Sequence, residues 1–179
     1  MDDVRREVPL SMDELRAVTG YGINCATGVL GHFTAARPGD TRPQEALAAA
    51  RAFADGGPRR ATLRSASWAA HHAARDAGTT PAGEAARSAM SAAAAAFLHP
   101  LAQAHQVKHV LGAAAHAARA VELAAGGDPG AGTRHLDQLR DRAGTTVTQV
   151  LRRYPAAPPG GGRVGELLRA LDDALRERP

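Results

Sequence analysis

The sequence predicts an all-α protein: six to seven antiparallel helices joined by short loops, in an alanine-rich bundle or a two-layer helical array. Three observations carry this. Aromatic residues are only 3% of the 179-residue chain while hydrophobic residues are 44%, so the core must be built from small and aliphatic side chains. Much of that 44% is alanine, the best helix former and small enough to let helices pack closely. Apolar residues recur at three-, four- and seven-residue spacings, and no stretch alternates with the two-residue period of a strand.

Each element follows from local signals. Ser11-Met12-Asp13-Glu14 reads as a capping box, in which the serine caps the Glu14 amide and the glutamate reaches back. A helix should run from there to about Ala36, with Leu15, Val18, Cys25, Val29 and Phe33 on one stripe. Gly20, Gly22, Gly28 and Gly31 each weaken it by up to ~1 kcal/mol against alanine, and the reading is that they let another backbone approach. "RPGD" ends this helix, and Thr41-Arg42-Pro43-Gln44 has the pattern of a second capping box. Helix two should reach about Asp55, with Leu47, Ala50 and Phe53/Ala54 inward, before Gly56-Gly57-Pro58 stops it. Helix three, about 59–77, carries the inward stripe Leu63, Ala66, Ala70, Ala73, Ala77. Its other side bears Arg60, Arg64, Trp68, His71, His72 and Arg75.

Helix four starts near Pro81 and crosses the alanine block to about His99, where Pro100 starts a new helix or kinks a long one. Helical pattern continues to about Ala125, "GGDPGAG" is a loop, and a helix from about Thr133 to Tyr154 holds Leu136, Leu139, Val147, Val150 and Leu151. "PAAPPGGG" is too rich in proline and glycine for regular structure. The last helix lines up Val164, Leu167, Leu168, Leu171 and Leu175 on one face. The domain reading is a helical domain over 1–154, a Pro/Gly linker over 155–162, and a C-terminal amphipathic helix over 163–179 that packs on the body or on a partner.

The formal net charge is +4, and Lys108 is the sole lysine. Acidic residues are interspersed with the arginines, as in "RHLDQLRDR", which describes a solvated mixed face. A nucleic-acid footprint would cluster cations beside stacking aromatics, and none is present. Cys25 has no partner for a disulfide and sits among apolar residues as a small core side chain. "MDDVRREVPL" has no apolar segment of a signal peptide, and no run of 18 apolar residues spans a membrane. These features place the protein in the cytosol, with no nucleic-acid or membrane partner.

His105, His109 and His116 fall within about 40° of one another on a straight helix, with Gly112 between them. His105 and His109 could share a metal ion, but His116 lies about 16 Å further along from His105. A third ligand would have to come from His71, His72 or Asp40. Gln106 stands where a zincin needs glutamate, so the reading assigns no metal site and no cofactor. The histidines then make interhelical hydrogen bonds or line a polar groove. Glu122, Glu166 and Asp172-Asp173 fall on solvated faces. There is no GxSxG elbow, phosphate loop or dinucleotide fingerprint, and no catalytic residue is assigned. The stronger surface signal is arginine: Arg37, Arg42 and Arg51 bracket the 37–43 corner, and Arg60, Arg64 and Arg75 line helix three beside Trp68. Arginine and tryptophan anchor interfaces. Arg64 is spaced to stack on Trp68, although a lone tryptophan is more often core or half-buried. Asp40 between Arg37 and Arg42 reads as a latch that locks the corner.

The segment "DELRAVTGYGINCATGVLGHFTAARPGDTRPQEALAAARAFADG" resembles the opening of a bacterial family of immunity proteins of the polymorphic-toxin type. The resemblance rests on the helix start and on the corner residues Pro38, Asp40, Arg42 and Pro43 before "EALAAARAFADG". "SASWAAHHAARDA" and "AHQVKHVLGAAAHAARAVELA" are similar to later helices of the family, giving coverage of roughly residues 13–125. From 126 onward the likeness is loose. The resemblance implies an all-helical, non-catalytic protein that binds and neutralises a toxin, without a cofactor. The expected contacts are Arg37, Asp40, Arg42, Arg64, Trp68, His71, His72, His105 and His109. One alternative is a small-molecule-binding protein or an enzyme of specialised metabolism or self-resistance, with a His-lined pocket where His105, His109 and Asp40 converge. Another is a homodimer through the last helix.

Overall fold

The chain is all-α. The computed structural model describes residues 6–178, so the stretch read for a signal peptide lies partly outside the described residues. Among the described residues there are nine helices and no strand: α1 (Met12–Thr27), α2 (Leu30–Ala36), α3 (Arg42–Ala54), α4 (Ala61–Ala77), α5 (Pro81–Ala94), α6 (Val107–Ala124), α7 (Pro129–Arg142), α8 (Thr145–Leu151) and α9 (Gly162–Arg176). The count exceeds the expected six to seven because two long helices each break. The first breaks at Gly28-Val29, where bonds from Val29 N–H to the Ala26 carbonyl and from His32 N–H to the Val29 carbonyl tighten the chain. Both Val29 and Phe33 stay buried across this break. The other breaks at Ala143-Gly144, where the backbone turns extended. In both places glycine, a poor helix residue, sits at the break.

Ser11 caps α1 as its spacing predicts: the Glu14 amide donates to Ser11 Oγ at 3.1 Å, and the Ser11 amide to Glu14 Oε2 at 2.8 Å. The second capping box does not form. Thr41 Oγ1 instead bonds Glu45 Oε1 at 2.7 Å, and Asp40 Oδ1 takes the Arg42 amide at 3.2 Å. Pro100 neither starts nor kinks a helix. α5 ends in a 3-10 turn (Ala95–Phe97), and the chain then makes a lone antiparallel bridge, Leu101 with Glu7, before a second 3-10 turn (Ala104–Gln106) leads into α6.

α5 and α6 form the centre. Both helices are rich in buried alanine, including Ala85, Ala89, Ala92, Ala114 and Ala117, each fully buried, and Ser88 Oγ donates across to the Ala113 carbonyl at 2.7 Å. α4, α5, α6 and α9 pack side by side in that order, while α1 and α3 cover α5 from behind and α7 and α8 close the other end. Close approach by glycine holds at one of the four sites in the first two helices. A Cβ on Gly22 would lie 3.0 Å from Ala92 Cα, whereas Gly20 and Gly31 face open space and Gly28 has only ordinary contacts. Cys25 is buried and its thiol is pushed up to about 12 by that burial, against a hydrogen bond from Tyr21, as suits a core side chain.

α9 packs on α6 and α7, with Leu167, Leu171 and Leu175 buried. Two carboxylates expected on solvated faces are instead buried with arginines of α9. Glu122 is 2% exposed and receives Arg163 of α9 at 3.0 and 2.9 Å on Oε2, together with Arg119. Asp172 is 1% exposed and is held by Arg176 at 2.7 Å and by the Ala157 amide at 2.8 Å. Helical phase alone put both outside; burial became tolerable because each carboxylate is fully paired. No helix among the described residues is long and apolar enough to cross a membrane.

Candidate functional site

α4 and α9 each pack on the central α5–α6 pair rather than on one another, and they leave a groove of about 1020 Å³ between them. One wall is α4 at i, i+4, i+7: Arg64, Trp68, His71. The other is the start of α9: Val164, Gly165 and Leu168, with Gly161 just before the helix. The floor comes from α5 (Glu84, Arg87, Met90, Ser91) and α6 (Lys108, His109, Gly112, His116). Gly112 packs on Ser91 there, and a Cβ on it would meet Ser91 Oγ at 3.4 Å.

The groove is polar at both ends and apolar between. At the end near the start of α5, Glu84 is 5% exposed, His116 Nδ1 lies 2.7 Å from Oε2, and Arg87 bonds Oε1 at 3.0 Å. Burial pushes the Glu84 carboxyl up, but the His116 hydrogen bond and the charges of His116, Arg87 and Arg119 outweigh it, and the net shift is downward. His109, half-buried, is pushed down to about 4, first by burial and then by the neighbouring charges of Lys108 and His105. It is therefore a neutral imidazole at pH 7. At the opposite end stand Arg64 and Lys108, which form no ion pair among the described residues.

Of the residues singled out from sequence, the structure brings Arg64, Trp68, His71 and His109 to this groove. Trp68 is not a core residue: it is 60% exposed, in edge contact with His71 at 5.6 Å. Arg64 lies over the Phe97 ring at 4.5 Å instead of stacking on Trp68. His72 is exposed and touches only the back of His71 among aromatic partners. His105 sits in the 3-10 turn before α6, off the helical phase that would align it with His109, and bonds Gln106 at 2.9 Å. Arg37, Asp40 and Arg42 form a separate latch. Arg42 donates to Asp40 at 2.9 and 2.6 Å and to Asp76 at 2.7 Å, while Arg37 donates to the Asp76 carbonyl at 2.9 Å. This ties the corner to the end of α4. His105, His109 and Asp40 therefore do not meet in one cavity. Among the described residues no group of three or more His, Cys, Asp or Glu side chains is placed to hold a metal ion.

Sequence reasoning missed Glu84, Met90, Phe97, Val164 and Leu168 as groove residues. A glutamate within an otherwise alanine-lined helix was the signal available for Glu84; the others depend on which helices become neighbours.

No characterised protein and no solved structure matches the chain. A family match runs over residues 9–144, past the 13–125 stretch that carries the resemblance, so it takes in α7 and leaves out the α9 wall of the groove. On that match, which covers most of its length, the chain belongs to the Imm-5 like putative immunity protein family.

Proposed function

We propose that this protein is a non-catalytic, cytosolic immunity protein that binds a cognate toxin through the groove between α4 and α9 and occludes it. Family membership supports an immunity-type activity. The observation that selects the surface is Trp68: a tryptophan 60% exposed, on the lip of a largely apolar groove with Met90, Phe97 and Leu168 inside it. Such a residue is costly to leave in water and anchors interfaces when covered. The corner at 37–43 serves as a latch, since its charges already satisfy one another. The test is co-expression with the product of the adjacent gene, followed by affinity capture and a growth assay. A stable complex that restores growth is expected. A neighbour with no toxic effect, or a toxin that is neither captured nor neutralised, overturns the proposal.

One observation favours a second reading. The buried Glu84–His116 pair is an acid and a base held 2.7 Å apart at the end of a concave site, as in small-molecule pockets. Native mass spectrometry of the protein from its own host tests this: a bare polypeptide mass sinks the small-molecule reading.

A further inference from the structure

At its Arg64–Phe97 end the groove runs into a second cavity of about 460 Å³, lined by Arg59, Arg60, Arg64 and His99 around the Phe97 ring. Its electrostatics are one-sided. Arg59 donates to the Ala96 carbonyl at 3.0 Å and lies 5.7 Å from the Phe97 centroid. Arg64 covers the same ring at 4.5 Å. None of the three arginines has a carboxylate partner among the described residues, and no acidic side chain lines this cavity or the first turn of α4. Other arginines are neutralised within the chain, Arg42 by Asp40 and Asp76, Arg163 by Glu122 and Arg176 by Asp172, and what sets the notch apart is that three unpaired ones gather around one ring. A guanidinium that rests on an aromatic ring still carries a planar fork of donors that matches a carboxylate. The remaining unpaired cation of the groove, Lys108, lies at this same end.

We propose that the Arg59–Arg60–Arg64 notch is an anion pocket that receives acidic side chains of the partner, whose adjoining apolar segment lies in the α4–α9 groove beside Trp68. The occupant is thus an apolar protein segment ending in aspartate or glutamate. Charge complementarity fixes its direction, with the acidic end on the notch and the uncharged stretch running toward the already neutralised Glu84–His116 end. This rests on the binding reading above for the identity of the partner, but the notch is testable without it.

The first arm uses the free protein and two probe peptides, acetyl-Leu-Leu-Glu-Glu-amide and its Gln-Gln counterpart. The acidic peptide should shift the backbone amides of residues 59–64 and the Trp68 indole saturably, with at least about tenfold tighter binding than the neutral one. The double substitution Arg60→Ser with Arg64→Ser should erase that difference. Serine at 60 occupies the N-cap of α4, where it favours the helix, so loss of binding would not report loss of fold. Equal shifts from both peptides, or none, overturn the proposal. The second arm introduces the same double substitution into the captured toxin complex. A weakening of tenfold or more that shrinks as salt is raised is expected. An unchanged, salt-independent affinity overturns the notch and leaves the immunity reading standing. Failure of the wild-type protein to capture a toxin removes that reading, and the peptide arm still decides the notch.

Discussion

The 37–43 corner and the α4–α9 groove draw on the same residue types and treat them in opposite ways. In the corner Arg42 meets two carboxylates, Asp40 and Asp76, and Arg37 donates to the Asp76 carbonyl. In the groove Arg64 and Lys108 meet none, and an indole stands uncovered beside them. Arginine marks both regions in the sequence. What separates a structural element from a binding surface is whether the charge is already balanced within the chain. A paired charge contributes to folding; an unpaired one beside exposed apolar surface contributes when something docks. Changes on the paired side should therefore alter stability and leave partner binding intact, and changes on the free side should do the reverse.

The largest effect lies on the paired side, at one of its two most buried carboxylates. Glu122→Gln keeps the shape but strands Arg163 and Arg119 against a neutral amide. A loss of about 3–5 kcal/mol is expected for breaking such a pair, read as a lower urea midpoint with an unchanged slope. Because Arg163 sits on α9, the same variant should loosen one groove wall, seen as faster amide exchange over 162–176. A loss below about 0.5 kcal/mol would show that the leucines alone hold α9.

On the free side, Trp68→Ala should weaken toxin binding by about 2–4 kcal/mol, some thirtyfold to a thousandfold. Global stability should stay within about 0.5 kcal/mol, as expected at an exposed position. Calorimetry of binding beside urea denaturation separates the two. A stability loss of several kcal/mol with unaltered affinity would put Trp68 on the wrong side of the comparison.

Sequence alone carried the helices well because their signals are local. Ser11 and Glu14, the prolines in the first turns of α3 and α5, and the buried stripe from Leu15 to Phe33 needed no knowledge of the rest of the chain. It failed where neighbours decide. Glu122 and Asp172 fell on polar faces by periodicity, yet Arg163 and Arg176 made their burial tolerable. Gly20 and Gly22 are two residues apart in one helix, and only Gly22 has a backbone against it. Half of the site was legible for a similar reason. Arg64, Trp68 and His71 share one helix face and could be grouped by phase. Their counterparts Val164 and Leu168 reach the groove only because α9 folds back, and His105 left it because a 3-10 turn replaced the assumed α-helix.

A smaller effect tests the groove floor by pH. His109 is pushed down to about 4 in the fold, while an unfolded histidine titrates near 6.5. Between those values the unfolded chain binds the proton and the folded one resists it. The contribution is thus fully present above about pH 6.5 and is lost as pH falls toward 4. His109→Gln should remove on the order of 2 kcal/mol of that acid loss. His135, shifted the same way by burial and by Arg142, leaves a residual slope of the same sign. If the variant and the wild type lose stability in parallel from pH 6.5 to 4, His109 is not shielded as the floor geometry requires.

The smallest effect belongs to the corner and is the sharpest control on the comparison. Asp40→Asn leaves a side chain that still caps the Arg42 amide but cannot match its guanidinium with two anionic oxygens. The pair is partly exposed, so about 1 kcal/mol of stability is at stake. The Arg42 hydrogen bond and charge, with a further contribution from Arg37, hold the Asp40 carboxyl below its ordinary range despite some burial. A depressed carboxyl stabilises the fold above its unfolded titration point and loses that contribution as pH drops through the folded one. The gap between wild type and Asp40→Asn should accordingly be present at pH 7, shrink in high salt, and close in acid. Toxin affinity should not change at all, because no atom of the latch reaches the groove. An affinity loss in Asp40→Asn as large as in Trp68→Ala would mean that the corner, though internally paired, also meets the partner, and pairing would then no longer separate scaffold from surface in this molecule.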